Sequence, residues 1–185
     1  MFRLFAGSVA TVYLVGVACA GNEVFVGRRV AATTAFDRID HSVWDTLLKK
    51  YVDDDGMVNY RAWHSSSADT QALDQYLSTL STGQANQATT NGKLAFWINA
   101  YNAATIRGIL REYPTTSIRN HTARLFGYNI WKQLQLYVGG QPHSLEGIEH
   151  EILRKMNDPP IHFAIVCASI GCPRLLNEAY TPERV

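Results

Sequence analysis

The sequence lacks an excess of charge of either sign. Its 185 residues include 17 basic and 16 acidic side chains, and the basic ones form no run. Binding to nucleic acid or to an anionic membrane surface relies on concentrated positive charge. We therefore expect no nucleic acid and no anionic lipid as partners, and we assign no cofactor.

Long hydrophobic runs are also scarce. The longest candidate, residues 4–17, is too short to cross a bilayer comfortably as a permanent helix, so we expect no membrane span. It follows the basic start Met1-Phe2-Arg3 and precedes Ala18-Cys19-Ala20, the small-x-small pattern of a signal peptidase site. Residues 1–20 are thus predicted to be a signal peptide cleaved before Gly21, and the protein is predicted to be exported to the periplasm or secreted.

A lipid anchor on Cys19 is the alternative fate of this N-terminus. Lipoprotein signals usually carry a branched aliphatic residue three positions before the acylated cysteine, and here that position holds Gly16. We therefore favour soluble export over a lipid anchor.

The chain also has few cysteines. The chain has three cysteines, and removal of the signal peptide leaves Cys167 and Cys172. Two cysteines cannot replace a hydrophobic core, which excludes a disulfide-rich scaffold. The rest of the chain is long enough for one domain with its own core. In an oxidising compartment the two cysteines can form a local disulfide.

Four segments have the periodicity of helices. The first begins at about Asp40 and continues through Tyr51, and the second covers about residues 68–80. The third, residues 92–112, is apolar nearly all round, which predicts a central and buried helix. A fourth helix is predicted over residues 145–156, where Ser144 is a good N-cap.

The remaining apolar segments predict a few strands. A short strand is expected at Met57–Tyr60, a β-hairpin at residues 132–143 and a buried strand at residues 161–166. Residues 21–36 are expected to be a loose N-terminal segment. Helices with few strands and no βαβ repeat indicate a single α+β domain over residues 37–185. We expect its central helix to pack against a small, mostly antiparallel sheet.

The chemistry is concentrated near the C-terminus. His162 interrupts the apolar run 161–166, Cys167 follows at its end, and Cys172 precedes Pro173. A thiol at a strand end beside a tight loop suits a nucleophile, a disulfide or a metal ligand, and the sequence leaves the three open. The other histidines, His41, His64, His121 and His143, flank helices or lie in loops, so we expect them to be solvated.

The first alternative is a thiol-dependent hydrolase or acyltransferase. A cysteine near neutral pH needs a base to become a thiolate, and a third polar residue commonly orients that base. Cys167 is the candidate nucleophile and His150 or His162 the base, oriented by Asn99 or Glu149. His150 is the better base, because the offset between His162 and Cys167 puts them on opposite faces of a straight strand.

The second alternative is a binding or structural domain. In it Cys167 and Cys172 form a disulfide, and the buried polar residues lie beneath a groove for a small molecule or a peptide. We assign Asn102, Trp97 and Cys172 to ligand binding. Asn99 and Asn102 share a helix face, and their amides can instead satisfy neighbouring backbone groups.

The third alternative is a zinc site built from Cys167, Cys172, His150 and His162. The count of ligands suits zinc, but the usual Cys-x-x-Cys and His-x₃₋₅-His spacings are missing. This alternative ranks below the other two, and we assign no metal ligand.

Six blocks of sequence carry a resemblance to a known family. In order along the chain they are Trp44–Leu48, Gly56–Tyr60, Leu94–Asn102, Ser117–Arg119, Ser144–His150 and Ile161–Pro173. Together they resemble the domain of unknown function 547 family over about residues 40–185. The resemblance implies no established activity. It also implies that the domain continues past Val185 with a further helical segment, so that its C-terminal part is missing here.

Overall fold

The computed structural model describes residues 23–115, 129–156, 161–168 and 172–185, and for His162 it describes the backbone alone. Several expectations fall outside these residues. They are the signal peptide of residues 1–20, the lipid anchor on Cys19, the block Ser117–Arg119 and the solvation of His121. Among the described residues, no helix is both long and apolar enough to cross a membrane.

The predicted helices in the first two thirds of the chain are confirmed. Helix α1 covers Ser42–Tyr51, α3 covers Ser67–Leu80 and α4 covers Thr90–Glu112. A short helix that was not predicted, α2, covers Tyr60–Ser65 and begins after Asn59, whose side chain accepts a hydrogen bond from Ala62 N–H. These helices pack their apolar sides into one core.

Helix α4 is the centre of that core, as its nearly uniform apolar surface predicted. Trp97 is 7% exposed and Tyr101 is 1% exposed. The helix begins where the Thr89 hydroxyl accepts a hydrogen bond from Gly92 N–H at 3.0 Å. Gly92 allows a close approach at this point, because a Cβ atom there would lie 2.0 Å from Asp37 Oδ1.

The α+β fold is confirmed, with a sheet of three strands in the order β1-β4-β5. Strands β4, Leu134–Val138, and β5, Gln141–Ser144, form the predicted antiparallel hairpin. Strand β1, Val24–Val26, pairs with β4 in parallel, so the sheet is mixed. A second parallel pair joins β2, Thr34–Ala35, to β3, Gly83–Gln84.

The segment 21–36 was therefore wrongly predicted to be loose, because it supplies both β1 and β2. Strands of three and two residues are too short to show alternation in the sequence. Their pairing depends on partner strands distant in sequence, which a local pattern does not contain.

Two strand predictions are wrong. Within residues 161–166 the chain forms a helical turn, α7, Ile161–Ala164. A short apolar run suits a buried strand and a buried helix equally well, and here the helix is adopted. The expected strand Met57–Tyr60 is reduced to a single bridge between Val52 and Val58, and Tyr60 already belongs to α2.

The helix predicted over residues 145–156 is helical throughout but irregular. A one-turn helix, α5, Ile130–Gln133, precedes β4, and a second one, α6, Leu145–Gly147, follows β5. Residues Ile148–Leu153 then form a π-helical segment, and Arg154–Met156 form a 3₁₀ turn. The wider π-helical turn brings residues five apart onto one side, which suits the ion pair between Glu149 and Arg154 at 2.6 Å.

Candidate functional site

A cavity of about 460 Å³ lies where three separate parts of the chain meet. Helix α4 provides one side, the turn before α2 provides the second, and the segment around the two cysteines provides the third. Its lining is mainly apolar and consists of Asn102, Thr105, Ile106, residues 55–58, Tyr60, Val166, Ala168 and residues 172–175. This volume is within the range of about 300–1,000 Å³ that is typical of small-molecule sites.

Asn102 fixes the cysteine segment to α4. Its amide nitrogen donates to the Ala164 carbonyl at 2.9 Å, and its amide oxygen accepts from Val166 N–H at 2.9 Å. A carboxamide carries the same donor and acceptor as a peptide group, so the side chain pairs with the backbone as a neighbouring strand would. The segment is thereby held against the helix although it has no sheet partner there.

Thr105, one helical turn along α4, has a buried hydroxyl without a partner. The residue is 1% exposed, and its Oγ1 makes no hydrogen bond with any described residue. Threonine hydroxyls in helices commonly bond to a carbonyl in the preceding turn, which makes this case unusual. An unsatisfied buried hydroxyl costs about 1–3 kcal/mol. Thr105 lines the cavity, but its hydroxyl oxygen is buried and is not open to solvent from there.

The third side of the cavity is closed by a disulfide. The sulfur atoms of Cys167 and Cys172 are 2.07 Å apart, and Cys167 N–H donates to the Cys172 sulfur at 3.2 Å. Between them, Ala168 has a φ of 54°, in the left-handed region that residues other than glycine seldom adopt. Such conformations tend to occur at binding and active sites.

The second side is an aspartate turn packed against the C-terminal segment. The Asp53 carboxylate accepts hydrogen bonds from Asp55 N–H at 3.0 Å and from Met57 N–H at 2.8 Å. Gly56 has a φ of 80°, and a Cβ there would lie 2.2 Å from Arg174 Cγ. The Arg174 guanidinium donates to the Asp54 carbonyl at 2.6 Å, so the turn and the segment hold each other in place.

The described residues that line this cavity are mostly uncharged. Among the described residues that line it, Asp55 and Arg174 alone carry charge, and both are exposed. Tyr60 also lines the cavity, and burial raises the pKa of its phenol well above the ordinary value. Burial is the cause of that shift, and no cation among the described residues opposes it.

The predicted site residues are divided among several places. Of those that the structure describes, Asn102 and Cys172 line the cavity, and Cys167 is bonded to Cys172. Asn99 pairs instead with the backbone of Tyr180, donating to its carbonyl at 2.8 Å and accepting from its N–H at 3.0 Å. Asn99 therefore secures the C-terminal segment by the same peptide-like pairing that Asn102 uses.

The other expected members of the catalytic group lie on the π-helical segment. Glu149 accepts hydrogen bonds from Arg154 at 2.6 Å and from Tyr101 at 3.5 Å. Burial raises the pKa of the Tyr101 phenol, and the nearby Glu149 carboxylate raises it further. His150 is exposed, with its Nδ1 3.2 Å from the Glu146 carbonyl oxygen. Neither Glu149 nor His150 is among the described residues that line the cavity.

Trp97, which we assigned to ligand binding, packs within the core. Its ring lies edge-on to His143 with centroids 5.1 Å apart, and edge-on to Phe36 at 5.6 Å. His143 is therefore not the solvated loop residue that was expected, because it belongs to β5 and is half-buried. Burial lowers its pKa.

His41 was also wrongly expected to be solvated. Its Nδ1 lies 2.7 Å from the Tyr76 hydroxyl, and desolvation lowers its pKa to about 4. The imidazole is thus neutral over most of the physiological range. His64, by contrast, is exposed as predicted.

Sequence reasoning missed Tyr60, Thr105 and the contact of Gly56 with Arg174. Thr105 lies within the segment predicted to be a buried helix, where a hydroxyl gives no sign that it lacks a partner. Asp53-Asp54-Asp55-Gly56 is a sequence typical of a turn, but the segment that the turn contacts lies about 120 residues later.

Comparison with known proteins adds one finding. The family model described as "Protein of unknown function, DUF547" matches residues 85–185, which include α4, the hairpin and the cysteine segment. The two earlier blocks of the resemblance, Trp44–Leu48 and Gly56–Tyr60, lie outside the matched residues. No curated protein and no solved structure matches the chain.

Proposed function

This chain belongs to the DUF547 family, and since that family is described as one of unknown function, we propose a function from the cavity itself. The protein is a small-ligand-binding domain, and the ligand occupies the cavity between α4, the aspartate turn and the disulfide. The observation that carries this proposal is the cavity itself, which has a volume of about 460 Å³ and a mainly apolar lining.

The state of the cysteines favours binding over thiol catalysis. A sulfur that is already bonded to another sulfur is not a thiolate and cannot attack a substrate. The same bond removes both cysteines from a tetrahedral zinc site, which requires thiolate ligands. In the proposed function the disulfide is structural, and it links Cys167 to Cys172 beside the cavity.

The disulfide also supports export as part of the proposal. Disulfides persist in oxidising compartments and are rare in the cytosol. Together with the predicted signal peptide, the Cys167–Cys172 bond favours a periplasmic or secreted protein. N-terminal sequencing of the protein recovered from its producing cells tests this, since export predicts a mature chain that begins at Gly21.

Filling the cavity tests ligand binding directly. Val166 is half-buried and lines the cavity, so Val166→Trp should occupy much of the space in which a ligand would lie. We expect the unsubstituted protein to bind N-phenyl-1-naphthylamine, an uncharged apolar dye that fluoresces on burial, and the variant to bind it at least about tenfold more weakly.

Val43→Trp is the matched control, because Val43 is 42% exposed on α1 and does not line the cavity. Circular dichroism would establish that both variants fold. Dye binding that is equal in the two variants, or absent in the unsubstituted protein, would contradict the proposed function.

A further inference from the structure

We propose that the protein has a second binding site, which takes a small organic dianion of the dicarboxylate or phosphate monoester kind. The site is a cleft of about 350 Å³ between strand β1 and helices α3 and α4. Its lining is mainly polar and consists of residues 24–28, Asp74, Ser78, Arg107, Arg111 and Leu134. None of these residues lines the cavity of the proposed function, so the two sites are independent of each other.

The cleft has an excess of positive charge. Arg28, Arg107 and Arg111 line it together with one carboxylate, that of Asp74, which leaves an excess of two positive charges. Arg28 is far from the other two arginines in the sequence, so the fold assembles this charge although the chain has no basic run. Like charges held close together repel one another, and a dianion in the cleft would relieve that repulsion.

Arg107 is held in place by the protein itself. Its Nε and Nη2 atoms donate to the two carboxylate oxygens of Asp74 at 2.6 Å and 3.3 Å, and 23% of its side chain is exposed. This pairing uses two of the five N–H donors of the guanidinium. The other N–H groups make no hydrogen bond with a described residue, so the positioned guanidinium still has donors for an anion.

Arg28 is positioned through its backbone. Its N–H donates to the Ser81 hydroxyl at 2.9 Å, just after the end of α3. Gly27 precedes it with a φ of 74°, and a Cβ atom there would lie 2.3 Å from Ser81 Oγ, so only glycine allows this close approach. The Arg28 guanidinium makes no ion pair and no hydrogen bond with a described residue. The fold thus brings to the cleft a cation whose charge the rest of the described chain does not use.

Stabilisation of a helix end does not account for this arrangement. A cation in the last turn of a helix interacts favourably with the helix dipole, which suits Arg111 in α4. Arg111 also lies 3.3 Å from Glu112, and partly exposed pairs of this kind contribute little. Arg28 belongs to no helix and has no carboxylate partner among the described residues, so neither reason applies to it. Binding of an anion gives all three arginines a role.

The chemistry of the cleft defines the class of ligand. Guanidinium groups bind carboxylates and phosphates through pairs of N–H groups. A volume of about 350 Å³ falls at the lower end of the range of about 300–1,000 Å³ for small-molecule sites, which suits a small organic molecule better than a bare ion. The mainly polar lining disfavours a ligand with a large apolar body.

Isothermal titration calorimetry of the full protein tests the site at low ionic strength. The probes are succinate and glycerol 3-phosphate at a pH of about 7.5, where both are mainly dianions. Succinamide, which has nearly the shape of succinate without its charge, is the matched neutral ligand. We expect both dianions to bind, succinamide to bind at least about tenfold more weakly, and added salt to weaken the dianions by screening.

Substitution of Arg28 tests the contribution of the unpaired cation. Arg28→Gln should raise the Kd for succinate at least about fivefold, because it removes charged donors from the cleft. Arg29→Gln is the matched control, since Arg29 is also exposed and does not line the cleft. It removes the same charge, and its effect on the Kd should stay within about twofold. Neither variant should alter the circular dichroism spectrum or the binding of N-phenyl-1-naphthylamine.

A loss of affinity that is confined to Arg28→Gln would support the inference. Equal weakening by the two variants would indicate general attraction by surface charge and would overturn it. Equal binding of succinate and succinamide, or no binding of either dianion, would do the same. Vesicles that contain phosphatidate test whether the dianion is the headgroup of a lipid. Cosedimentation with them that glycerol 3-phosphate does not reverse would overturn a soluble ligand.

Discussion

Replacing Thr105 with valine should make the protein more stable in the absence of ligand. The hydroxyl is buried in α4 and has no partner among the described residues, so the folded state bears the cost of its desolvation. That cost is about 1–3 kcal/mol. Valine has almost the same shape and nearly the same helix propensity as threonine, so few other terms change. We expect a gain of about 1 kcal/mol in the free energy of unfolding.

Urea denaturation followed by circular dichroism measures this gain. The midpoint should rise while the slope m stays the same, since the surface exposed on unfolding hardly changes. Thr79→Val serves as the control, because that hydroxyl is exposed and bonds to the Gln75 carbonyl at 3.2 Å, and its effect should stay within about 0.5 kcal/mol. A loss of stability in Thr105→Val would show that the hydroxyl is paired, for instance through a water molecule, and would refute the reasoning.

Two further predictions concern the cysteines and the pH dependence of stability. Iodoacetamide should label neither Cys167 nor Cys172 until a dithiol reductant is added. Reduction should lower the free energy of unfolding by about 2 kcal/mol. Rapid labelling of Cys167 without reductant, detected by peptide mass spectrometry, would restore the nucleophile hypothesis. Asp69 has its pKa lowered to about 2 by hydrogen bonds from Lys50, Ser66 and Tyr51. Its contribution should therefore be complete above the ordinary value of 3.8 and be lost as the pH falls towards 2. Acid unfolding of Asp69→Asn should be less steep in this range, and an unchanged profile would contradict the role of these bonds.

An element of the fold could be predicted when the pattern that defines it lies within a few neighbouring residues of the sequence. The central helix α4 and the hairpin of β4 and β5 follow from local periodicity, because burial of a whole helix or of alternate strand residues is visible in neighbouring positions. Residues 161–166 offered a run too short to distinguish helix from strand. Strand β1 is defined by its parallel pairing with β4, whose residues lie more than a hundred positions later.

The candidate site was less predictable than the fold for the same reason. Asn102 and Cys172 were predicted to bind a ligand because polar groups in an apolar context stand out, and both line the cavity. Thr105 and Tyr60 look ordinary in the sequence, because their position at the cavity depends on segments that are distant along the chain. His150 was predicted to be the base because of its residue type. The direction in which its side chain leaves the backbone is set by a π-helical segment, which a regular helical pattern does not predict.

The two asparagines of α4 have a consequence for how freely the sequence can vary. Asn99 and Asn102 recognise main-chain groups of Tyr180, Ala164 and Val166, across separations of 62 to 81 residues. Because every partner is a peptide group, these bonds do not depend on which side chains the partners carry. The asparagines themselves allow no such freedom, since aspartate lacks the donor and leucine lacks both groups. Two residues of one helix thus preserve the path of the C-terminal segment, while the surface that this segment presents is open to diversification.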